Sequence, residues 1–397
     1  MKNRPFLRLL AMLLVAASLL AFAGCRKAPE KPAPTTAPTT APTVPTEPVV
    51  PPAASIVELG NIVADRYEPG HISNCAWDLA VWDGVLFRCA GDYDDNTGLV
   101  PIWGFDLASQ SWKLTGEAKE EAIHRFVKLG AVMATPGIDP LETWTWGNFY
   151  VWSNGWHQYR NLPGGIHNFD IVEFEGKIFA DLGVDENKSP CVVSTDGGVS
   201  FQHIPLYRDG KVVDSTGMTF IRIYEFIVYQ NQLYAMAYFE GDWGFYRYEG
   251  DKFVYISSAA SYVAGSRTNY NYLNAKFQFG DTCFVVSNRL HAVKDFADNS
   301  ANKIIAMPNN GDVVDALVAD GGMYTLSYTK KADGNYETVI YRSATGQEGS
   351  FTEVLRFDYA VPPCSFALDA GYFYIGMGSK NLTHIANGMV LRATMPQ

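Results

Sequence analysis

Apolar residues in this chain fall in short runs, and the runs come in pairs about a turn residue. The turn residues are Gly84, Gly130, Gly176, Asn231, Gly280, Gly321 and Gly371. Ahead of them stand DLAVWD (78–83), HRFVKL (124–129), DIVEFE (170–175), EFIVYQ (225–230), NAKFQF (274–279), DALVAD (315–320) and SFALDA (365–370). The runs after them include VLF, AVM, KIF, QLY, DTCF, GMY and YFY. Two strands joined by a tight turn need a residue that tolerates positive φ, and Gly or Asn supplies it cheaply. Each marker therefore predicts a β-hairpin. The steps between markers are 46, 46, 55, 49, 41 and 50 residues. That period suits four-stranded propeller blades, whereas helical repeats would show apolar positions at 3.6-residue spacing.

A third strand is expected in most periods at IWGF (102–105), FYVW (149–152), CVVS (191–194), FYRY (245–248), VIYR (339–342) and MVLR (389–392). A fourth carries Trp112, Trp156, Phe201, Phe253 or Phe351. The fifth period is irregular, with its outer strands somewhere between Arg289 and Met307. EAKEEAIHRF (117–126) comes nearest to an amphipathic helix. The seventh period holds three strands, and SIVELGNIVA (55–64) has no hairpin of its own. Pairing the two removes two exposed edges, which invite aggregation. The pattern thus predicts an all-β chain: a seven-bladed β-propeller with four-stranded antiparallel blades, closed by the N-terminal strand 55–64 on the last blade. The alternative is an N-terminal strand that lies along blade one. Such a chain exceeds a typical single-core domain, but repeats stack their cores one by one.

The first 24 residues carry Lys2, Arg4 and Arg8, then an apolar stretch, then small residues. That order is a secretory signal. AFAGC (21–25) resembles the lipobox of bacterial lipoproteins. The resemblance implies a diacylated Cys25, whose two chains suffice for stable anchoring. The alternative is an ordinary secreted protein. Residues 25–54 are rich in Pro, Thr and Ala and hold nothing to build a core. At roughly 3.1 Å per residue such a linker reaches on the order of 80 Å. The expected organisation is a signal peptide (1–24), an anchored linker (25–54) and a propeller (55–397), displayed outside the cytoplasmic membrane.

The net charge is −11. Residues 1–31 hold six basic side chains and one acidic, which leaves 25 basic against 41 acidic, or −16, for the rest. This argues against nucleic acid as a partner. Beyond Cys25 there are five cysteines, at 75, 89, 191, 283 and 364. An odd number leaves at least one thiol unpaired within the chain. Cys75 and Cys364 open inner strands of blades that would be neighbours, so they are either a disulfide or two thiols.

Residues 194–201 read Ser-Thr-Asp-Gly-Gly-Val-Ser-Phe. Ser194 and Asp196 suit a turn that bonds its own backbone, Gly198 permits positive φ, and Ser200 and Phe201 complete the pattern. The segment resembles the Asp-box of the BNR repeats in sialidases and related propellers. A degenerate copy stands at 343–351, with Thr345 in place of the Asp. The resemblance implies a propeller, with the box structural and turned away from the usual binding face. Its members range from exo-sialidases to sorting receptors. Sialidases need an arginine triad and an Arg-Ile-Pro signature near the first blade, and HISNCAWDL (71–79) stands there instead.

In a four-stranded blade the first and third turns lie on one face, the second turn and the inter-blade passage on the other. The second face should collect residues 91–98, 138–147, 183–190, 239–244, 287–302, 329–337 and 379–387. Loops on a rigid scaffold carry function more often than the scaffold does. Eight of the nine Trp lie between Trp77 and Trp156. Trp77, Trp82, Trp112 and Trp152 read as core. Trp144, Trp146 and Trp243 are candidates for stacking on a sugar or an apolar partner, with Arg222, Arg267, His71 and His167 beside them. Asp92, Asp94 and Asn96 alternate as calcium ligands do, but the Gly comes one place late and no Glu holds the twelfth position. They read as a solvated loop, and neither metal nor cofactor is expected. The absence of a catalytic motif points to a non-enzymatic surface lipoprotein that binds a carbohydrate or a protein. The alternative is a sialidase-like glycoside hydrolase, whose carboxylates would come from different blades.

Overall fold

A computed structural model describes residues 55–63, 66–68, 70–94, 98–183, 188–213, 221–264 and 272–395. The chain divides into two units, Met1–Val50 and Pro51–Gln397, and every described residue belongs to the second. The expected signal peptide, Cys25 and the whole linker fall outside the described residues, as do Arg267 and Asn96.

The described residues build seven sheets of four or more strands and one of three. Sheet one is Leu79–Trp82, Val85–Arg88, Val100–Asp106 and Ser111–Ala118. Sheet two is Val127–Leu129, Val132–Pro136, Trp146–Trp152 and Trp156–Pro163. Sheet three is Ile171–Phe174, Lys177–Asp181, Cys191–Ser194 and Gln202–His203. Sheet four is Ile221–Tyr229, Gln232–Phe239, Asp242–Tyr248 and Phe253–Ser258, widened by Leu206–Arg208 and Lys211–Val213. Sheet five is Ala275–Phe279, Thr282–Val286, Leu290–Val293 and Lys303–Ile305. Sheet six is Asp312–Ala319, Gly322–Lys330, Tyr336–Ser343 and Thr352–Tyr359. Sheet seven is Pro363–Asp369, Tyr372–Met377 and Val390–Thr394, and Ile56–Gly60 pairs antiparallel with Val390–Thr394.

The strand sequences follow their positions. The second strand Thr282–Val286 is buried along its whole length, as a strand with sheets packed on both faces is. The fourth strand Thr352–Tyr359 mixes exposed charged residues with buried Leu355, as an outer strand with one wet face does. All seven markers adopt positive φ. Asp83, Glu175, Gln230, Asp320 and Ala370 precede their markers and are left-handed too. Those five hairpins are therefore type I′ in character, matching the twist of their strands. Gly130 and Gly280 instead take the first turn position, so their markers run one residue ahead of the other five.

Counting from the turn exposes a second repeat. Five residues ahead of it stand Asp78, Arg125, Asp170, Glu225, Ala275, Asp315 and Ser365. Asp78 Oδ2 accepts the Phe126 N–H at 2.7 Å, Asp170 Oδ2 that of Phe226 at 2.7 Å, and Asp315 Oδ2 that of Phe366 at 2.9 Å. Glu225 Oε1 accepts from Leu273 N–H at 2.9 Å. Asn274, beside Ala275, donates to the Val314 carbonyl, and Ser365 donates to that of Ala76 at 2.6 Å. Each side chain thus ties its sheet to the next. Arg125 spans further. It makes a two-pronged bond to Glu225 (2.6 and 3.1 Å) and reaches Asp170 at 3.3 Å and the Leu273 carbonyl at 3.0 Å. Lys276 joins the same two carboxylates. Burial works to raise the Glu225 carboxyl, but Arg125 and Lys276 outweigh it and hold it below its ordinary range. These inner strands surround one cavity of about 530 Å³, lined by residues of sheets two to seven and by Asp78, which immediately precedes sheet one. The arrangement is a β-propeller.

Several expectations change. Residues 117–126 form no helix: the strand Ser111–Ala118 ends there and the strand Glu120–Ile123 follows. Glu120–Ile123 pairs with Ala90–Gly91 and Ile138–Pro140 in the three-stranded sheet. Within 287–302, Leu290–Val293 is the third strand of sheet five, so residues 294–302 lie on the hairpin side, away from the other long loops. Cys75, Cys89, Cys191, Cys283 and Cys364 are all free and buried.

Removing one partner of a buried ion network strands the others without solvent. Arg125→Ala should cost about 3–5 kcal/mol in chemical denaturation. A loss below about 1 kcal/mol would show that the network holds nothing together.

Candidate functional site

The passages between sheets and the connections between second and third strands share one side of the ring. The three-stranded sheet lies there, built from sheet one's connection, the passage to sheet two, and sheet two's connection. Its register sets Ile138 opposite Ala122 and Pro140 opposite Glu120, so Asp139 stands across from Glu121. On the other edge the Asp92 N–H donates to the Glu121 carbonyl at 3.1 Å. Three carboxylates thus share one corner. Like charges facing across strands are unfavourable. Burial first, then Asp139 and Asp92, push the Glu121 carboxyl up to about 7. Asp139 also has φ 59° inside a strand, unlike any other described non-glycine residue. Left-handed backbone costs an Asp less than most residues, but it remains strained.

His167, in the passage to sheet three, stands against that strained residue. Its Nδ1 is 2.8 Å from Asp139 Oδ1, and its ring stacks on Phe169 at 5.5 Å. Burial pushes the imidazole below its ordinary value despite Asp139, so it is neutral near pH 7. From Phe169 an aromatic arc continues to Tyr224 at 4.7 Å, then to Tyr272 at 4.5 Å and Trp243 at 5.1 Å. Tyr93 joins at its other end, 6.2 Å from the His167 ring. The Arg222 guanidinium lies over Phe169 at 6.0 Å. Of the sequence candidates, His167, Arg222 and Trp243 therefore come together.

Trp144 and Trp146 stand a few residues past Leu141, in the segment that leads from Ile138–Pro140 into Trp146–Trp152. They are 55 % and 43 % exposed, unusual for so large an apolar side chain. Arg160 pins the segment beneath them: its guanidinium bonds the Thr143 and Trp146 carbonyls at 2.5 and 2.8 Å and Glu142 at 3.2 Å. His71 lies elsewhere, capping the short turn Ile72–Asn74, with its Nδ1 2.7 Å from Ser73 Oγ. Asp92 Oδ1 accepts the Asp94 N–H at 3.0 Å in a local turn. Among the described residues no group of three or more His, Cys, Asp or Glu is placed to hold a metal ion.

The segment 194–201 lies on the hairpin side. Asp196 accepts from the Val199 and Ser200 N–H groups at 3.1 and 2.9 Å and from Ser200 Oγ at 2.6 Å. The Ser200 bonds first, then that of Ser194, hold its carboxyl down at about 2. Ser194 Oγ also accepts the Gly198 N–H at 2.8 Å, and Phe201 packs edge-on against Phe149. Asp196 is a turn-former. The degenerate copy keeps the serine's role: Ser343 Oγ accepts from Gly346 N–H at 2.8 Å.

Sequence reasoning missed Glu121, Asp139, Phe169, Tyr224 and Tyr272. Glu121 sat inside the helix-like stretch. Phe169 and Tyr224 each stand one residue ahead of the acidic residue that begins an apolar run, Asp170 or Glu225, and Tyr272 shortly precedes the inner strand Ala275–Phe279.

No family model and no curated protein matches the chain. Solved structures do. A chain of a mitotic checkpoint complex matches with TM-score 0.50 and 8 % identity, over 90 % of this chain and 100 % of that one. YCF48 from Cyanidioschyzon merolae matches with TM-score 0.49 and 8 % identity, over 86 % and 99 %. YCF48 bound to D1 peptide gives 0.48 and 10 %, over 87 % and 100 %. At such identities the similarity concerns the fold alone.

An acid raised in the folded state binds its proton more tightly there than in the unfolded chain. Stability is then lost as pH climbs from about 4.5 toward 7. Glu121→Gln removes that loss. Its melting temperature relative to the unaltered protein should therefore rise between pH 5 and 8. A difference that stays flat with pH would contradict the crowding of Glu121 by Asp139 and Asp92.

Proposed function

We propose that the chain is a lipid-anchored, non-enzymatic, seven-bladed propeller of the bacterial cell envelope. In this reading strand 55–64 closes the ring on sheet seven, Cys25 carries the lipid, and residues 25–54 hold the propeller off the membrane. The loop-rich face binds a carbohydrate or a protein partner. The observation that carries the binding reading is the patch of Leu141, Trp144 and Trp146, apolar yet exposed and pinned by Arg160. Large apolar side chains held exposed close together in the chain are characteristic of interaction sites. Pre-organisation also lowers the entropy that binding must overcome. The acidic balance of the chain argues against nucleic acid.

One observation favours a second reading, glycoside hydrolysis. Glu121 and Asp139 face each other across two strands, and Glu121, raised to about 7, suits a general acid. Most glycosidases work through a pair of carboxyl groups.

Two measurements decide between them. Full-length protein is probed on a glycan array and by crosslinking at the surface of cells that make it. Replacing Trp144 and Trp146 together by Ala should weaken the partner at least about tenfold, as loss of central aromatic anchors does. Unchanged binding would remove the patch from the site. In parallel, chromogenic glycosides including a sialoside should give no turnover. Turnover abolished by Glu121→Gln would install the hydrolase reading instead.

A further inference from the structure

A second cleft on the same face lies between sheets six and seven, far along the chain from the acidic corner. Its volume is about 440 Å³, within the roughly 300–1,000 Å³ of small-molecule sites. One wall is the hairpin from Tyr328 to Tyr336, and the other is the connection from Ser379 to Leu382. The base is the passage 309–312 into sheet six. That base is built to a close tolerance. Asn310 is left-handed at φ 52°, and a Cβ on Gly311 would collide with the Tyr328 carbonyl oxygen. Asn309 Oδ1 accepts from the Gly311 N–H at 3.0 Å and from Ser327 Oγ at 3.1 Å. Its Nδ2 is buried with no protein partner, an orphaned donor beside the cleft.

The chemistry inside is specific in kind. Tyr328 donates its hydroxyl proton to Asp312 Oδ2 at 3.1 Å, leaving the other carboxylate oxygen as an acceptor. The Tyr328 and Tyr336 rings lie 5.7 Å apart, tilted by 59°. Lys330 sits 5.8 Å from the Tyr336 ring and offsets the Asp312 charge. Asn310 and Asn381 add amides at the rim. Ring faces, one carboxylate, amides and almost no net charge suit a ligand with several hydroxyls and an apolar C–H face. A phosphorylated or strongly charged ligand would find no matching cluster, and a purely apolar one would strand the polar groups.

We propose that this cleft binds one or two units of a neutral saccharide. The assignment rests on the reading of the loop-rich face as a binding face, and it names a subsite distinct from the tryptophan patch. Calorimetric titrations of the full-length protein with chitotetraose, maltotetraose and mannotetraose test it, with 3′-sialyllactose as the charged comparison. At least one neutral oligosaccharide should bind. Asp312→Ala and Tyr336→Ala should each weaken it at least about tenfold, while Tyr336→Phe, which keeps the ring, should retain it. Circular dichroism of each variant separates lost binding from lost fold. Binding that survives the cleft variants and vanishes when Trp144 and Trp146 are replaced overturns the cleft but leaves the loop-rich face standing. Binding of 3′-sialyllactose alone overturns the neutral class. No binding by any of the four overturns the saccharide assignment, and a protein partner crosslinked at the tryptophan patch would still uphold the face.

Discussion

The hydrogen bond from a side chain at the head of one inner strand to the backbone of the next sheet is the contact on which the rest depends. Sheets packed face to face through apolar side chains can slide, because dispersion has no direction. A carboxylate that accepts a particular N–H cannot. Asp78, Asp170, Glu225 and Asp315 each set the angle and height of a neighbour, and Asn274 and Ser365 do the same as donors. Their desolvation is costly. Burial pushes Asp78 up to about 7, and Asp315 well above its ordinary range. Sheet two breaks the pattern with Arg125, which reaches past its neighbour to sheets three, four and five. Together with Lys276, that cation holds the buried Glu225 carboxyl below its ordinary range.

Rigid inner strands allow diverse outer loops. The same ring presents three chemically different regions on its loop-rich face: an acidic corner with a neutral histidine, an exposed tryptophan patch, and a polar cleft lined by tyrosines. None lies on the hairpin side, where the turn between first and second strands holds only two residues in each of the seven sheets. The segment 194–201 belongs to that side; Asp196 bonds only within its own turn, and Asn161 of sheet two ties that turn to its neighbour through the Gly198 and Val199 carbonyls. A motif that resembles a family of enzymes and receptors thus speaks here about folding and not about chemistry.

The hairpins were legible because each needs a residue with positive φ at one place, and only a few residue types tolerate it. Third strands followed from the same period in every sheet but the fifth, and fourth strands in sheets one to four and six. The small sheet was not legible. Its strands are two to four residues long, too short for any periodicity, and Glu120–Ile123 sits in a stretch of good helix formers. The latch residues were in plain view as the polar openings of apolar runs. Recognising them as a ring required the one-residue offset of Gly130, which places Arg125 and not His124 at the latch position. The site residues come together only through tertiary pairing: Glu121 meets Asp139, and His167 meets both Asp139 and Phe169, across connections that carry no local signature. The tyrosine cleft was invisible for the same reason.

Amide hydrogen exchange at Phe126, Phe226, Leu273 and Phe366 tests the central claim most directly. These four N–H groups lie outside the regular ladders and owe their protection to side chains of the preceding sheet. If the latches hold the ring, they exchange among the slowest amides of the protein, and Asp315→Ala releases Phe366 without releasing Phe126. If all four exchange as fast as loop amides, the sheets are held by apolar packing alone, and the latch account is wrong.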